Sequence, residues 1–249
     1  QALPARYGGR RVGGGRRFAP RFARAPPTID LAACKPPLDA SASYTLVMVD
    51  PDAPSRKAPA FREFVHWCVR DLPSTFAGEG DGGSKTVLSY VGPSPPWGSG
   101  AHRYALLLFR QPSSGFDAGA MTAFFAPGRA PLRVGALASA CKLELVAFNM
   151  FESEWDGSCD AANAALGFVP PDEYKSPAQR ADAGLAPLDD ALAAAKRPKA
   201  GANDDAIEGL GDGGDGGFAP VWEAATALFA FDCETADDDA LEALIAALQ

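Results

Sequence analysis

The chain has 249 residues, 47% of them hydrophobic, enough for one sizeable globular core plus an appendage. Its formal charge of −8 is uneven: residues 1–156 hold 18 Lys+Arg against 13 Asp+Glu (+5), and residues 157–249 hold 5 against 18 (−13). No apolar run reaches about 18 residues, so no membrane-spanning helix is expected. The five scattered cysteines show no CxxC spacing, which speaks against a zinc knuckle or a disulfide framework and for free thiols in a reducing, cytoplasmic setting.

In chain order, the first 29 residues carry seven arginines and no acid. With Gln1 in first place, one reading is a processed product that keeps part of an Arg-rich transit peptide, although the Ser expected of such peptides is missing. "RAPPTIDL" (24–31) turns from Pro-rich to extended and reads as an edge element. "YTLVMVD" (44–50) is a short, buried strand. "EFVHWCV" (63–69) is a second, whose alternation puts Phe64, His66 and Cys68 on one face and Glu63, Val65, Trp67 and Val69 on the other. "KTVLSYV" (85–91) is a third. "GPSPPWGSG" (92–100) is a loop by composition. "AHRYALLLF" (101–109) is a fourth strand, with His102, Tyr104, Leu106 and Leu108 opposite Arg103, Ala105, Leu107 and Phe109. "CKLELVAFNMF" (141–151) is a fifth. Ala-rich residues 161–166 could begin a helix. Residues 169–220, rich in Ala, Gly, Pro and Asp, read as a partly disordered linker. Residues 221–249 contain an amphipathic helix with Leu241, Leu244, Ile245 and Leu248 on one stripe. The fold class expected is mainly β: an antiparallel β-sandwich over residues 1–168, with a few peripheral helices and a C-terminal helical, low-complexity extension.

Chemistry-bearing residues concentrate between positions 50 and 104. Asp50 and Asp52 flank Pro51 at the end of a buried strand, Pro54 stiffens the turn, and the chain's two histidines, His66 and His102, follow. Tyr104 shares the face of His102, Gly100 permits close backbone approach, and Pro95–Pro96 form a stiff wall. Two carboxylates, two imidazoles and a phenol could be an acid–base set, a metal site or a ligand pocket, or only a well-made turn beside satisfied core histidines. No HxH or HExxH spacing favours a metal, and "GPSPP" is not a nucleophile elbow.

The blocks "DPDAP" (50–54) and "GAHR" (100–103), with "REFVHW" and "TVLSYVG" between them, resemble the phosphatidylethanolamine-binding protein family, also called the Raf kinase inhibitor protein family. The likeness covers about residues 6 to 165. It extends into the Arg-rich start, which is similar to the family's early strands and weakens the transit-peptide reading. It implies a β-sandwich with a small anion cavity, formed here by Asp50, Asp52, His66, Pro96, His102 and Tyr104 and supported by Pro54, Phe61, Gly100 and Arg103. Phe61 stands where the family commonly has a tyrosine hydroxyl, and Trp97 is bulky beside the mouth.

A proton shared within the Asp/His cluster would relieve repulsion of a bound phosphate without a Lys or Arg present, and binding would strengthen from about pH 8 to 6 with histidine protonation. The function implied by the resemblance is a non-enzymatic module with no cofactor. It would bind phosphate or a phospholipid head group and regulate a protein partner such as a kinase or protease. Nucleic acid is not expected, and membrane contact is at most peripheral. The alternative is a small hydrolase or metal-binding enzyme built on the Asp/His cluster.

Overall fold

The computed structural model describes residues 1–13, 16–78 and 84–189, together with Ala193 and Lys196. The amphipathic helix expected within 221–249 and the 209–220 part of the expected linker lie outside the described residues. The strands are β1 (Ala5–Tyr7), β2 (Arg10–Arg11), β3 (Thr28–Asp30), β4 (Ser43–Asp50), β5 (Phe64–Pro73), β6 (Ala77–Gly78), β7 (Lys85–Leu88), β8 (His102–Arg110) and β9 (Glu144–Ser153). The helices are α1 (Ala118–Phe124), α2 (Val134–Ala140), α3 (Ser158–Ala165) and α4 (Pro177–Asp182).

Two antiparallel sheets result, in the order β2-β1-β3-β6 and β7-β5-β4-β8-β9. The larger one carries the five expected strands. β4 and β8 read as almost unbroken apolar runs because both of their faces are covered. On one face Leu46, Met48, Trp67, Tyr104, Leu106 and Leu108 pack against Ala5, Tyr7 and Ile29 of the small sheet. On the other, Val47, Val49, Val65, Ala105, Leu107 and Phe109 pack against Met121 of α1 and Val134 and Leu137 of α2. The molecule is thus mainly β, a sandwich with a helical third layer. The faces expected for β8 are those observed.

Two expectations are corrected. The "RAPPTIDL" segment is not an edge: β3 pairs β1 on one side and β6 on the other, and the exposed edge falls to the arginines of β2. Strict alternation in β5 also fails. Met48 pairs with Trp67 and the next residue, Val49, with Val65, so β5 holds one extra residue at His66. This β-bulge sends Val65 and Cys68 to the helix side and Trp67 toward the small sheet, while His66 meets the ring of Tyr104 on the cavity wall. Cys68 therefore does not share a face with His66.

Within the stretch read as a linker, a capping box opens α4. The Ser176 hydroxyl accepts from the Gln179 amide, and the Gln179 side chain accepts from the Ser176 amide. The hydroxyl of Ser176 also donates to Asp160 Oδ2 at 2.6 Å, and Tyr174 donates to the Ser55 hydroxyl at 2.8 Å. Residues 172–186 are thereby pinned to α3 and to the turn after β4.

Candidate functional site

A cavity of about 380 Å³ opens where β4, β5 and β8 converge at one end of the large sheet. Seven of the sequence candidates line it: Asp50, Pro54, Phe61, His66, Pro96, His102 and Tyr104. Asp50 ends β4, His102 begins the antiparallel neighbour β8, and Tyr104 lies two residues further on the same face, so strand pairing alone brings them together.

Asp50 and His102 form a buried pair. His102 Nδ1 donates to Asp50 Oδ2 at 2.8 Å, and the second oxygen, Oδ1, accepts the Asp52 amide at 2.7 Å. His102 Nε2 lies 2.9 Å from the Ser99 hydroxyl, which donates to the Pro96 carbonyl at 2.7 Å. With the Ser99 proton on Pro96, the doubly protonated imidazole donates through Nε2 to Ser99. Burial alone would lower the pKa of His102. The charge and hydrogen bond of Asp50, with Asp52 behind it, outweigh burial and raise it above the ordinary histidine value. The Ser99–His102–Asp50 distances match a nucleophile relay, but the raised pKa of His102 favours the imidazolium, which cannot take the hydroxyl proton.

His66 is the opposite case. Its Nδ1 donates to the Val91 carbonyl at 2.8 Å, and Nε2 has no hydrogen-bond partner among the described residues. Burial, offset only in part by Asp50, lowers its pKa to about 4. It stands as a neutral imidazole with a free acceptor nitrogen, in edge contact with Tyr104 at 5.1 Å between ring centroids. The expectation that anion binding tracks imidazole protonation from pH 8 to 6 therefore finds no support in His66.

Two buried polar groups at the cavity have no acceptor for their hydrogens, the Tyr104 hydroxyl and Asn163 Nδ2, in side chains 0% and 2% exposed; the Tyr104 oxygen itself faces the Ser94 amide. Burial, with Asp50 nearby, pushes the Tyr104 pKa well above its usual value, so the hydroxyl stays a donor. Unpartnered buried donors are uncommon and costly, and here both sit on a cavity wall.

Other sequence candidates lie elsewhere. Asp52 is corrected from pocket ligand to core ion pair. Its Oδ2 accepts the Arg103 amide at 2.9 Å and Arg103 Nε at 2.8 Å, and Oδ1 accepts Arg103 Nη2. Burial would raise the Asp52 pKa, but the hydrogen bonds and charge of Arg103, with Arg56, outweigh it and hold the carboxyl below the usual range. It therefore shares no proton with Asp50. Arg103 supports the turn and does not line the cavity. Gly100 admits no close neighbour; its φ of +83° is what favours glycine there. Trp97 is buried outside the cavity, with Lys196 Nζ 5.5 Å from its ring centroid.

Sequence reasoning missed Phe64, Arg129, Asn163 and Phe168, all of which line the cavity. Arg129 supplies the cation thought absent. It is held by donating to the Val65 carbonyl at 3.1 Å and the Ser89 carbonyl at 2.9 Å. Phe61, 36% exposed, packs edge-on against Phe168 at 5.9 Å and makes the mouth apolar. "FAPGRAPL" (125–132) carried a turn signal around Arg129, but nothing local assigned the arginine to this site.

Comparison with known proteins places this geometry. The chain is 36% identical over 121 residues to the rice protein MOTHER of FT and TFL1 homolog 2, covering 48% of this chain and 63% of that one. It is 38% identical over 130 residues to the carboxypeptidase Y inhibitor of Saccharomyces cerevisiae, covering 45% and 59%. The match thus spans about three-fifths of these relatives' lengths. The crystal structure of carboxypeptidase Y inhibitor complexed with its cognate proteinase aligns at 31% identity and TM-score 0.50, over 62% of this chain and 83% of that one. A phosphatidylethanolamine-binding protein from Plasmodium vivax aligns at 23% identity and TM-score 0.53, over 62% and 84%, and shows the shared fold. The profile of the phosphatidylethanolamine-binding protein family matches residues 1–147, and the chain belongs to that family.

Proposed function

We propose that this chain is a non-enzymatic anion-binding module that regulates a protein partner. The observation that carries the reading is a cavity with two unpartnered buried donors, Tyr104 Oη and Asn163 Nδ2, beside Arg129. Buried donors without protein partners are completed by a ligand's acceptors. Phosphate, free or in a phospholipid head group, is the anion proposed. The hydrolase alternative is disfavoured because the raised pKa of His102 favours an imidazolium, which has no lone pair for the proton of the serine beside it. The cytoplasm is proposed as the setting, supported by the free, buried thiols of Cys34, Cys68, Cys141 and Cys159. A crystal soaked in phosphate tests the reading, with His102→Ala as control. Density between Tyr104 and Asn163 in the native protein, absent from the variant, is expected; an empty native cavity would refute the reading.

For the protein partner, a kinase or a protease is proposed. The protease is the reading with a specific observation behind it, because a relative 38% identical is named a carboxypeptidase inhibitor. Titration against a serine carboxypeptidase checks it, and an unchanged peptidase rate at micromolar protein would dismiss it.

A further inference from the structure

The bulky residue of the Pro/Gly loop, Trp97, takes no part in the cavity and meets a cation instead. The Ser99 amide donates to the Pro96 carbonyl at 3.2 Å and closes a turn over Trp97 and Gly98. Lys196 lies across this turn, with Nζ 5.5 Å from the Trp97 ring centroid and 5.6 Å from that of Tyr174. Both distances are within the reach of cation–π attraction, about 6 Å. The same ammonium donates to the Glu173 carbonyl. Tyr174 is itself held by its hydrogen bond to Ser55 at 2.8 Å.

These contacts suit one kind of group. An ammonium offers its charge to two ring faces and a proton to a carbonyl, and no carboxylate pairs with it among the described residues. A carboxylate in its place would face two π-clouds and a carbonyl oxygen, all of them electron-rich. The stem is matched as closely as the head. Gly98 has φ +72°, and a Cβ there would stand 2.9 Å from Lys196 Cδ and 3.1 Å from its Cβ and Cγ. Glycine therefore serves twice, in the turn and as the floor on which straight methylenes lie. Beyond Lys196, residues 197–249 hold 2 Lys+Arg and 12 Asp+Glu, a balance of −10.

We propose that Trp97, Tyr174 and the Glu173 carbonyl form a second binding site, separate from the cavity, for a straight-chain alkylammonium group, and that Lys196 occupies it in cis as an exchangeable latch. The latch ties the loop before β8 to residues 172–174 and moors the acidic segment to the body at its start. A tethered group has an effective concentration on the order of millimolar, so a free alkylammonium at about 100 mM competes with it.

Amine footprinting of the full chain tests this. Acetylation by N-hydroxysuccinimidyl acetate, read by mass spectrometry, compares Lys196 with the exposed Lys142. Lys196 is expected to react at least about fivefold more slowly than Lys142 in the native protein and equally in urea. Trp97→Leu and Tyr174→Leu should each bring Lys196 to the rate of Lys142. Tyr174→Phe, which keeps a ring and loses the bond to Ser55, should leave it slow. The Tyr174 pair lies in a surface turn and decides the matter even where Trp97→Leu does not fold. Butyltrimethylammonium chloride at about 100 mM should speed Lys196, and sodium chloride at the same concentration should not. Equal native rates for the two lysines would overturn the site, as would a Tyr174→Phe variant as reactive as Tyr174→Leu. A rise produced equally by sodium chloride would assign the hold to ion pairing and overturn it too, and no rise with the quaternary ion would overturn the exchange.

Discussion

Asp50 and Asp52 stand two residues apart yet meet adjacent residues of β8, His102 and Arg103, whose side chains leave opposite faces of that strand. One carboxylate therefore reaches the cavity and the other the core. Asp52→Asn would leave the Arg103 guanidinium buried and unpaired, and it is expected to cost about 3–5 kcal/mol in urea denaturation. Tyr104→Phe should behave in reverse. Removing a buried hydroxyl whose proton has no acceptor leaves the melting temperature about equal, while anion affinity falls about tenfold. The histidines oppose one another in their effect on stability. The unfolded chain protonates His66 near pH 6.5 and the folded one only near 4, so stability falls as pH drops through that interval, by about 3 kcal/mol at most. His102, raised when folded, stabilises fully below pH 6.5 and loses that contribution as pH rises through its folded value. Urea midpoints should peak near pH 6.5. His66→Gln should flatten the acid limb and His102→Gln the alkaline one; a limb unchanged in its variant contradicts the assignment. The sequence blocks pointed to Asp50, His66, His102 and Tyr104, and the structure places all four around one cavity. They could not show which groups lack partners, because that depends on Asn163 and Arg129, distant in the chain and delivered by the packing of α3 and the loop before α2.

At the scale of elements, apolar runs located every strand of the large sheet. β4 and β8 are buried on both faces, and their composition says so. The helices α1 and α2 were not read, because Ala- and Gly-rich turns of seven residues carry little amphipathic signal. Alternation failed at β5, where one extra residue breaks the period of two. Composition also hid α4, whose order comes from contacts made elsewhere: Asp160 takes the Ser176 hydroxyl on one oxygen and the Trp155 indole N–H on the other, at 2.8 Å. Ser176→Ala removes both the cap and this tie. It is expected to cost about 1 kcal/mol and to raise hydrogen exchange selectively over residues 172–186. Uniform protection across the whole chain would contradict that coupling.

For the whole molecule, charge divides by position. Residues 1–189 hold 20 Lys+Arg and 18 Asp+Glu, a balance of +2; residues 190–249 hold 3 and 13, a balance of −10. The body that carries the cavity is thus slightly cationic, and the chain as a whole is anionic. Repulsion between the C-terminal charge and a cavity anion acts over about 10 Å at 0.1 M salt and about 30 Å at 0.01 M. A chain ending at residue 189 is expected to bind inorganic phosphate several-fold more tightly than the full chain in 10 mM salt and equally in 150 mM. A difference that survives 150 mM salt would instead indicate direct contact between the C-terminal segment and the site.

The extra residue at His66 makes the cavity a matter of counting. Lose the one residue between Val65 and Trp67, and the register with β4 becomes regular at Met48 and Val49. The aim of every side chain back to Phe64 then shifts by half a period. A substitution there alters one side chain, whereas a single-codon deletion of His66 would remove the imidazole and re-aim Phe64 while leaving almost every other letter of the strand in place. Across related genes, loss of this cavity would register as a gap in an alignment before it registered as a fall in identity.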